Sequence, residues 1–471
     1  MTQAPKPDNV GETEQVSSLY KSRKKIHPRS VTGLFANWRW IFVWFTQLLY
    51  YGLPWLQWND RQAVLFDLVN RKFYIFGLVL WPQDVFFLAI ILIISAYALF
   101  LFTAVAGRLW CGYACPQTVY TEIFIWIEEK IEGDRSARIK LDKAPMDGRK
   151  FRLRATKYLL WGLLALWTGF TLVGYFTPIK ELWDLFWAWD LGPWETFWIF
   201  FYGAFTYAFA GHLREQVCLY MCPYARFQGV MFDPDTLVIT YDPERGEPRG
   251  QRKKGIDPKS VGKGDCIDCS LCVHVCPTGI DIRNGLQYEC IGCAACIDVC
   301  DEVMEKMNYP KGLIRYTTEN ALEQHWGWRE IVGHVFRPRI IVYTVILVGI
   351  CAALVWGLAH KADLRVNVIR DRGILAREVE GGQIENVYRL QVMNVTEEPH
   401  RYVVTVTGLE NISLEGESQL EVGPAASKSF ALAVRVPPES AKKGSHTIYF
   451  DVKAESKPNL AVHEKATFLM P

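Results

Sequence analysis

Eight of the chain's 13 cysteines lie between Cys266 and Cys300, in two runs of identical spacing. Cys266, Cys269, Cys272 and Cys276 form the first run, and Cys290, Cys293, Cys296 and Cys300 the second. Each reads C-x2-C-x2-C-x3-C, the spacing of bacterial two-cluster ferredoxins. In that arrangement three closely spaced thiolates wrap one cubane, and the fourth, one helical turn on, reaches the neighbouring cluster. The expectation is therefore one [4Fe-4S] cluster on Cys266, Cys269, Cys272 and Cys300. A second falls on Cys290, Cys293, Cys296 and Cys276. Four thiolates per cluster favour four irons over three. Zinc sites pair C-x2-C steps across longer gaps, and disulfides do not suit a reducing cytoplasm. Pro277 follows the first run, whereas Asp301 follows the second. That departure touches local geometry, not ligation. Gly292, Ala294 and Ala295 leave room for backbone N–H groups to reach sulfur.

Around this cassette the chain is built for lipid. It is 50% hydrophobic and 14% aromatic, with 18 Trp in 471 residues. Trp and Tyr concentrate at membrane interfaces. Five apolar runs approach the ~20 residues that a helix needs to cross a bilayer. They are Phe35–Leu56, Asp84–Gly107, Thr156–Phe176, Trp194–Gly211 and Arg339–Ala359. The polar start, Met1 to Ser18, and the basic KSRKKIHPR after it lack a short apolar core with a cleavage site. The first apolar run therefore reads as a retained anchor.

Charge orients these segments. Lys130, Arg135, Arg138, Lys140, Lys143, Arg149, Lys150, Arg152 and Arg154 crowd the stretch from Arg108 to Ala155. Arg245, Arg249, Arg252, Lys253 and Lys254 follow the fourth run. The positive-inside rule puts both regions and the N-terminus in the cytoplasm, so five crossings leave the C-terminus outside. The loop Gln57–Gln83 carries Arg61, Arg71 and Lys72 and fits less well as an outer loop. Its FYIFGLVLW stays open between a loop and a segment dipping into the bilayer.

From about Asp363 to Pro471, short alternating apolar–polar segments are separated by Gly, Pro, Asn and Ser. LRVNVIRD, ENVYRLQVMNV, HRYVVTVTGL, ESQLEVG, SFALAVRVP, HTIYFDVKAE and EKATFLM read as strands of an immunoglobulin-like sandwich. It holds no cysteine, and docking or structure is its expected role. The division is then a cytoplasmic tail, 1–34; a four-helix membrane region, 35–230; and a cytoplasmic 2[4Fe-4S] ferredoxin domain, 231–338. A fifth transmembrane helix, 339–360, and a periplasmic sandwich, 361–471, complete it.

Two further motifs lie outside the cassette. GRLWCGYACPQ holds Cys111 and Cys115, and GHLREQVCLYMCPYAR holds Cys218 and Cys222. Both are C-x3-C-P at the expected cytoplasmic edge of an apolar run. An i, i+4 pair shares one helical face, so each helix would offer two sulfurs in one direction. The four suit either a soft-metal site, since thiolates select Cu(I), or a redox dithiol. The bland alternative is helix packing, as for the lone Cys351. His212 and His274, near these motifs, read as structural. No Rossmann fingerprint, P-loop or C-x2-C-H haem motif is found, so no nucleotide, covalent haem or flavin is expected.

Two C-x3-C-P motifs, a double ferredoxin cassette before the last apolar run and a C-terminal sandwich resemble the cytochrome c oxidase accessory protein family called CcoG, FixG or RdxA. The resemblance runs from about Ser30 to Pro471. The cassette alone is shared with many redox proteins, and the C-x3-C-P pair with membrane ferredoxins of the NapH and NosR type. The resemblance implies a multi-pass polyferredoxin of the bacterial cytoplasmic membrane with two [4Fe-4S] clusters on the eight cassette cysteines. It also implies cupric reductase activity, Cu(II) to Cu(I), for assembly of cbb3-type oxidase. Its membrane dithiols fall on Cys111, Cys115, Cys218 and Cys222, as the catalytic and copper-binding residues. The implied partners are membrane lipid, a copper-transporting P-type ATPase, oxidase assembly proteins and a cytoplasmic electron donor, with no nucleic acid. The rival expectations are electron exchange with quinone or a membrane redox partner, and a cluster-bearing assembly scaffold.

Overall fold

In the computed structural model, residues 25–371, 376–379, 381–457 and 459–471 are described. The expectations for Met1–Ser18 and for the start of the basic cluster fall outside them. Among the described residues, three helices are long and apolar enough to cross a bilayer, against five expected: Pro82–Ala106, Gly148–Val173 and Pro338–Ala359. The first and last present almost their whole surface outward, as a helix facing lipid must. The first apolar run does form a helix, α1 (Leu34–Gly52). Asn37, Arg39 and Gln47 interrupt its apolar character, and Trp and Tyr take the place of aliphatic residues. The fourth forms a helix over Pro193–Thr206, only 14 residues long. It continues as a π-helix over Tyr207–Leu213 and breaks at Arg214, where φ is +45°.

In the loop after α1, FYIFGLVLW folds mostly as strands. Val64–Asp67, Lys72–Ile75 and Leu78–Leu80 form a three-stranded antiparallel meander. Val79 and Trp81 at its end pack with Met393 of the C-terminal domain.

Helix α2 (Val85–Ala106) ends at Gly107, and a short helix α3 (Leu109–Tyr113) and a longer one, α4 (Pro116–Glu132), follow. Two strands, Val238–Tyr241 and Ile314–Thr317, pair antiparallel and bracket the cassette. Between them Leu271–Val275 and α5 (Ala295–Met307) are the two cassette helices. Tyr241, Ile282, Ile297, Met304 and Ile314 form their shared core.

The C-terminal domain is a sandwich of a five-stranded and a four-stranded antiparallel sheet. Tyr388, Leu390 and Val392 from one sheet meet Val404, Phe450 and Phe468 from the other, all buried. Each is worth about 1.5–3 kcal/mol of burial. All seven expected strand segments form. Arg377–Glu378 and Ser413–Glu415, too short to show a period of two, were missed.

Candidate metal centres

The two cassette runs fold alike because their spacing is alike. Ser270 and Ala294, each one residue after the second cysteine of its run, take left-handed φ of +55° and +60°. Each starts a helix whose first turn carries the third cysteine, Cys272 or Cys296. The fourth cysteine ends the short helix in the first run, as Cys276. In the second it lies within α5, as Cys300.

The helices cross so that these fourth cysteines exchange places. Cys266, Cys269, Cys272 and Cys300 line one cavity of about 370 Å³. Cys276, Cys290, Cys293 and Cys296 line a second, of about 340 Å³, with Ile239, Ile280 and Ile282. Cys272 borders both. Cys269 is exposed, so the first cavity reaches the surface. Burial pushes the Cys290 thiol up to about 12, Cys293 to about 11 and Cys272 to about 12. Thiols of this kind give up their protons when a metal takes the proton's place. The sulfurs line each cavity without meeting at a point. Among the described residues, no three Cys, His, Asp or Glu side chains converge as ligands of one ion. That spread suits an iron–sulfur cluster, in which each thiolate takes its own iron.

The C-x3-C-P motifs differ from the expected helical pairs. Cys111 is inside α3, but Cys115 has extended backbone (φ −62°, ψ 127°) and caps α4. Cys218 lies in a π-helical turn, Val217–Met221, and Cys222 (φ −77°, ψ 111°) caps the helix Pro223–Met231. In both, the proline excludes the preceding residue from the α region and opens a new helix as its first residue. Each pair therefore straddles a helix break. Pro116 and Pro223 carried that signal in the sequence.

The breaks turn all four sulfurs toward one region. Burial pushes the Cys111 thiol up to about 11, and Cys115 and Cys222 add to the rise. Cys218 rises to about 12 by burial, with contributions from Cys115, Cys111 and Cys222. Gln228, fully buried, places its side-chain amide nitrogen 3.4 Å from Cys111 Sγ. Cys351 sits apart on the helix Pro338–Ala359. His212 stacks among Tyr158, Trp161 and Tyr207, and the His274 carbonyl accepts the Arg29 N–H.

The dithiols and the second cavity share a wall. Cys111 packs against the buried cluster that includes Val275, Ile291 and Cys293. Cys218 and Cys293 line one small cavity of about 430 Å³ with Arg39 and Pro277. Backbone meets backbone here. A Cβ on Gly112 would stand 2.7 Å from the Gly292 carbonyl oxygen, and one on Gly292 (φ +70°) 2.9 Å from that of Arg108. Arg108 closes the joint, donating to the carbonyls of Tyr288, Cys290 (3.2 Å) and Ala225 (2.8 Å). Sequence reasoning missed Arg108 and Gln228, because nothing in their neighbourhoods marks a polar residue as buried.

Membrane helices, a two-cavity cysteine domain and an Ig-like sandwich define a membrane-associated ferredoxin-type iron–sulfur protein. The comparisons with known proteins agree. Residues 213–319 match a 4Fe-4S dicluster domain family, and residues 88–133 match a 4Fe-4S binding domain family. Residues 354–471 match the IG-like fold at the C-terminus of FixG. Protein RdxB of Cereibacter sphaeroides is 42% identical over 432 residues, covering 90% of each chain. Nitrogen fixation protein FixG of Rhizobium meliloti is 39% identical over 422 residues, covering 83% of this chain and 80% of that one. A crystal structure of a FixG-related protein from Vibrio parahaemolyticus is 26% identical, covering 23% of this chain and 97% of that one, with a TM-score of 0.22. The chain belongs to the FixG/RdxA/RdxB family of 4Fe-4S electron-transfer proteins.

Proposed function

We propose that this protein reduces Cu(II) to Cu(I) at the inner edge of the bacterial cytoplasmic membrane, for copper delivery and assembly of cbb3-type oxidase. In this reading Cys266, Cys269, Cys272 and Cys300 hold one [4Fe-4S] cluster. Cys290, Cys293, Cys296 and Cys276 hold the other. Cys111, Cys115, Cys218 and Cys222 hold copper. The chain crosses the membrane five times, with the tail to residue 34 and the 231–338 domain inside and residues 361–471 in the periplasm. Copper passes to a copper-transporting P-type ATPase and oxidase assembly proteins.

When bound, the clusters supply one-electron transfer without large rearrangement. The chain's residues do the rest. The backbone contact between Gly112 and Gly292 removes any side chain from between the dithiols and the second cavity. Among the described residues no three of these sulfurs converge as ligands of one ion, so the substrate ion is taken by two thiols at a time. That favours the reduced product, since sulfur prefers Cu(I). Arg108 holds the two parts in register. The observation that carries the reading is the wall shared by Cys293, Cys111 and Cys218. It puts the second cavity next to the thiols and leaves the first, open at Cys269, as the outer one.

The test uses full-length protein reduced with dithionite under argon and freed of excess reductant. Cys111→Ala and Cys218→Ala are expected to abolish copper retention and Cu(II) reduction, with iron and sulfide content retained. Unchanged copper binding and reduction in both variants would refute the assignment. Iron analysis also separates the family match at residues 88–133 from the copper reading: iron bound at these four cysteines would make them a third cluster site.

A further inference from the structure

Buried cations in this protein face carboxylates. Arg39 meets Glu122, and Arg138, Lys157 and Arg214 meet Glu128. At the wall of the first cavity, Arg283 bonds both Asp281 and Asp268. Arg108 is the exception among the described residues. It is 9% exposed, and the groups against it are neutral. Its guanidinium donates to the carbonyls of Tyr288, Cys290 and Ala225. The rings of Tyr288 and Phe232 lie 4.8 and 6.0 Å from it. These partners satisfy its N–H groups but supply no negative charge.

A cation held away from water needs a charge of opposite sign nearby. Sulfur is what stands near Arg108. Burial raises the thiols of Cys290, Cys111 and Cys218, and the charge of Arg108 opposes that rise at all three. Arg108 and Cys290 also line one cavity of about 670 Å³, with half-exposed Leu286 in its wall.

We propose that Arg108 is the counter-charge of the second cluster and raises its reduction potential, so that it accepts an electron from the first. One electron added to a cluster adds one negative charge, and burial disfavours that charge. The first cavity has the exposed Cys269, whereas the second has no exposed cysteine. On burial alone the inner cluster would be the harder one to reduce, and would stand as a barrier between the outer cluster and the dithiols. Net charge is one of the terms that set such potentials, and a fixed cation beside Cys290 removes the barrier. Arg283 does not do the same for the first cluster, because Asp281 and Asp268 cancel its charge. Arg108 bonds the peptide of Cys290, so it is a positioning residue that acts through its field. The proposal rests on the cluster assignment above and is independent of copper.

The experiment is a redox titration of full-length protein in nanodiscs under argon, with the reduced clusters followed by EPR. Arg108→Gln should lower one of the two midpoints by about 59 mV, a tenfold change in its one-electron equilibrium, and leave the other in place. Arg108→Lys keeps the charge and loses the forked hydrogen bonds, and its midpoints should stay near the parent's. Leu286→Glu is a second test with Arg108 in place. A carboxylate there should pair with the guanidinium and lower the same midpoint, and Leu286→Gln should not. Iron and sulfide content shows whether each variant is loaded; if Arg108→Gln is not, Leu286→Glu decides. Unmoved midpoints in loaded Arg108→Gln or in Leu286→Glu, or equal shifts in Arg108→Gln and Arg108→Lys, overturn the proposal. A parent protein without the iron for two clusters would instead refute the cluster assignment.

Discussion

Glu128 shows how much of this protein's polar chemistry is hidden from a linear reading. It is fully buried on α4, and Arg214 Nη2 stands 2.6 Å from Oε2 and Lys157 Nζ 3.6 Å from Oε1. Burial alone would raise its pKa. Arg214 and Lys157 overcome that and hold the carboxyl at about 2. Because this lies below the ordinary 4.5, the stabilisation is complete above about pH 5 and is lost as the pH falls toward 2. Glu128→Gln leaves buried Arg214 without its carboxylate, while Lys157 keeps Glu132 at 2.8 Å. It should destabilise the protein by about 3–5 kcal/mol, read as a lower midpoint in thermal unfolding at pH 7. The parent and variant should converge as the pH is lowered toward 2. The sequence marks Glu128 only as one of several acids in a basic loop; its burial arises because α4, Arg214 and the helix Gly148–Val173 pack together.

At the scale of elements, the C-x3-C-P motifs show a correct motif carrying an incorrect geometry. Spacing suggested two sulfurs on one helical face, while proline chemistry dictated a break between them. Pro223→Ala removes that dictate. A continuous helix through Cys222 then becomes accessible and carries its sulfur away from Cys111 and Cys115. The expected result is faster alkylation of Cys222 by maleimide, measured by mass spectrometry, with cassette iron unchanged; equal rates in parent and variant would show that packing, not proline, sets the break. The cassette cysteines line two cavities in the sets that their spacing suggests, because that spacing and the local folding come from the same short-range turns. The strands of the sandwich were legible for a similar reason: each alternates over its own length. The meander at 64–80 was not, since its apolar residues are buried by Met393, more than three hundred residues away.

Across the whole molecule, one buried carboxylate ties the membrane helices to the sandwich. Asp84, at the start of α2, is 1% exposed, with Lys361 Nζ at 2.9 Å and Arg365 Nη2 at 2.6 Å. Those two residues follow the last apolar helix and begin the first sandwich strand. Asp84→Asn should therefore cost about 3–5 kcal/mol at this junction and expose the backbone near Lys361. Limited trypsin digestion of protein in nanodiscs should then release an intact sandwich faster than from the parent, whereas an unchanged digestion rate would show that the junction is held by other contacts.

The sequence by itself determined the two four-cysteine sets, the strand pattern of the C-terminal domain and the presence of membrane helices, because each depends on spacing or periodicity within one short stretch. The tertiary structure alone decided where the apolar runs bend and break, how the dithiols turn toward the second cavity, and where Arg108, Tyr113, Gln228 and Glu128 are buried. Those depend on contacts between residues up to hundreds of positions apart. Burial and backbone approach are properties of such contacts, and no local pattern encodes them.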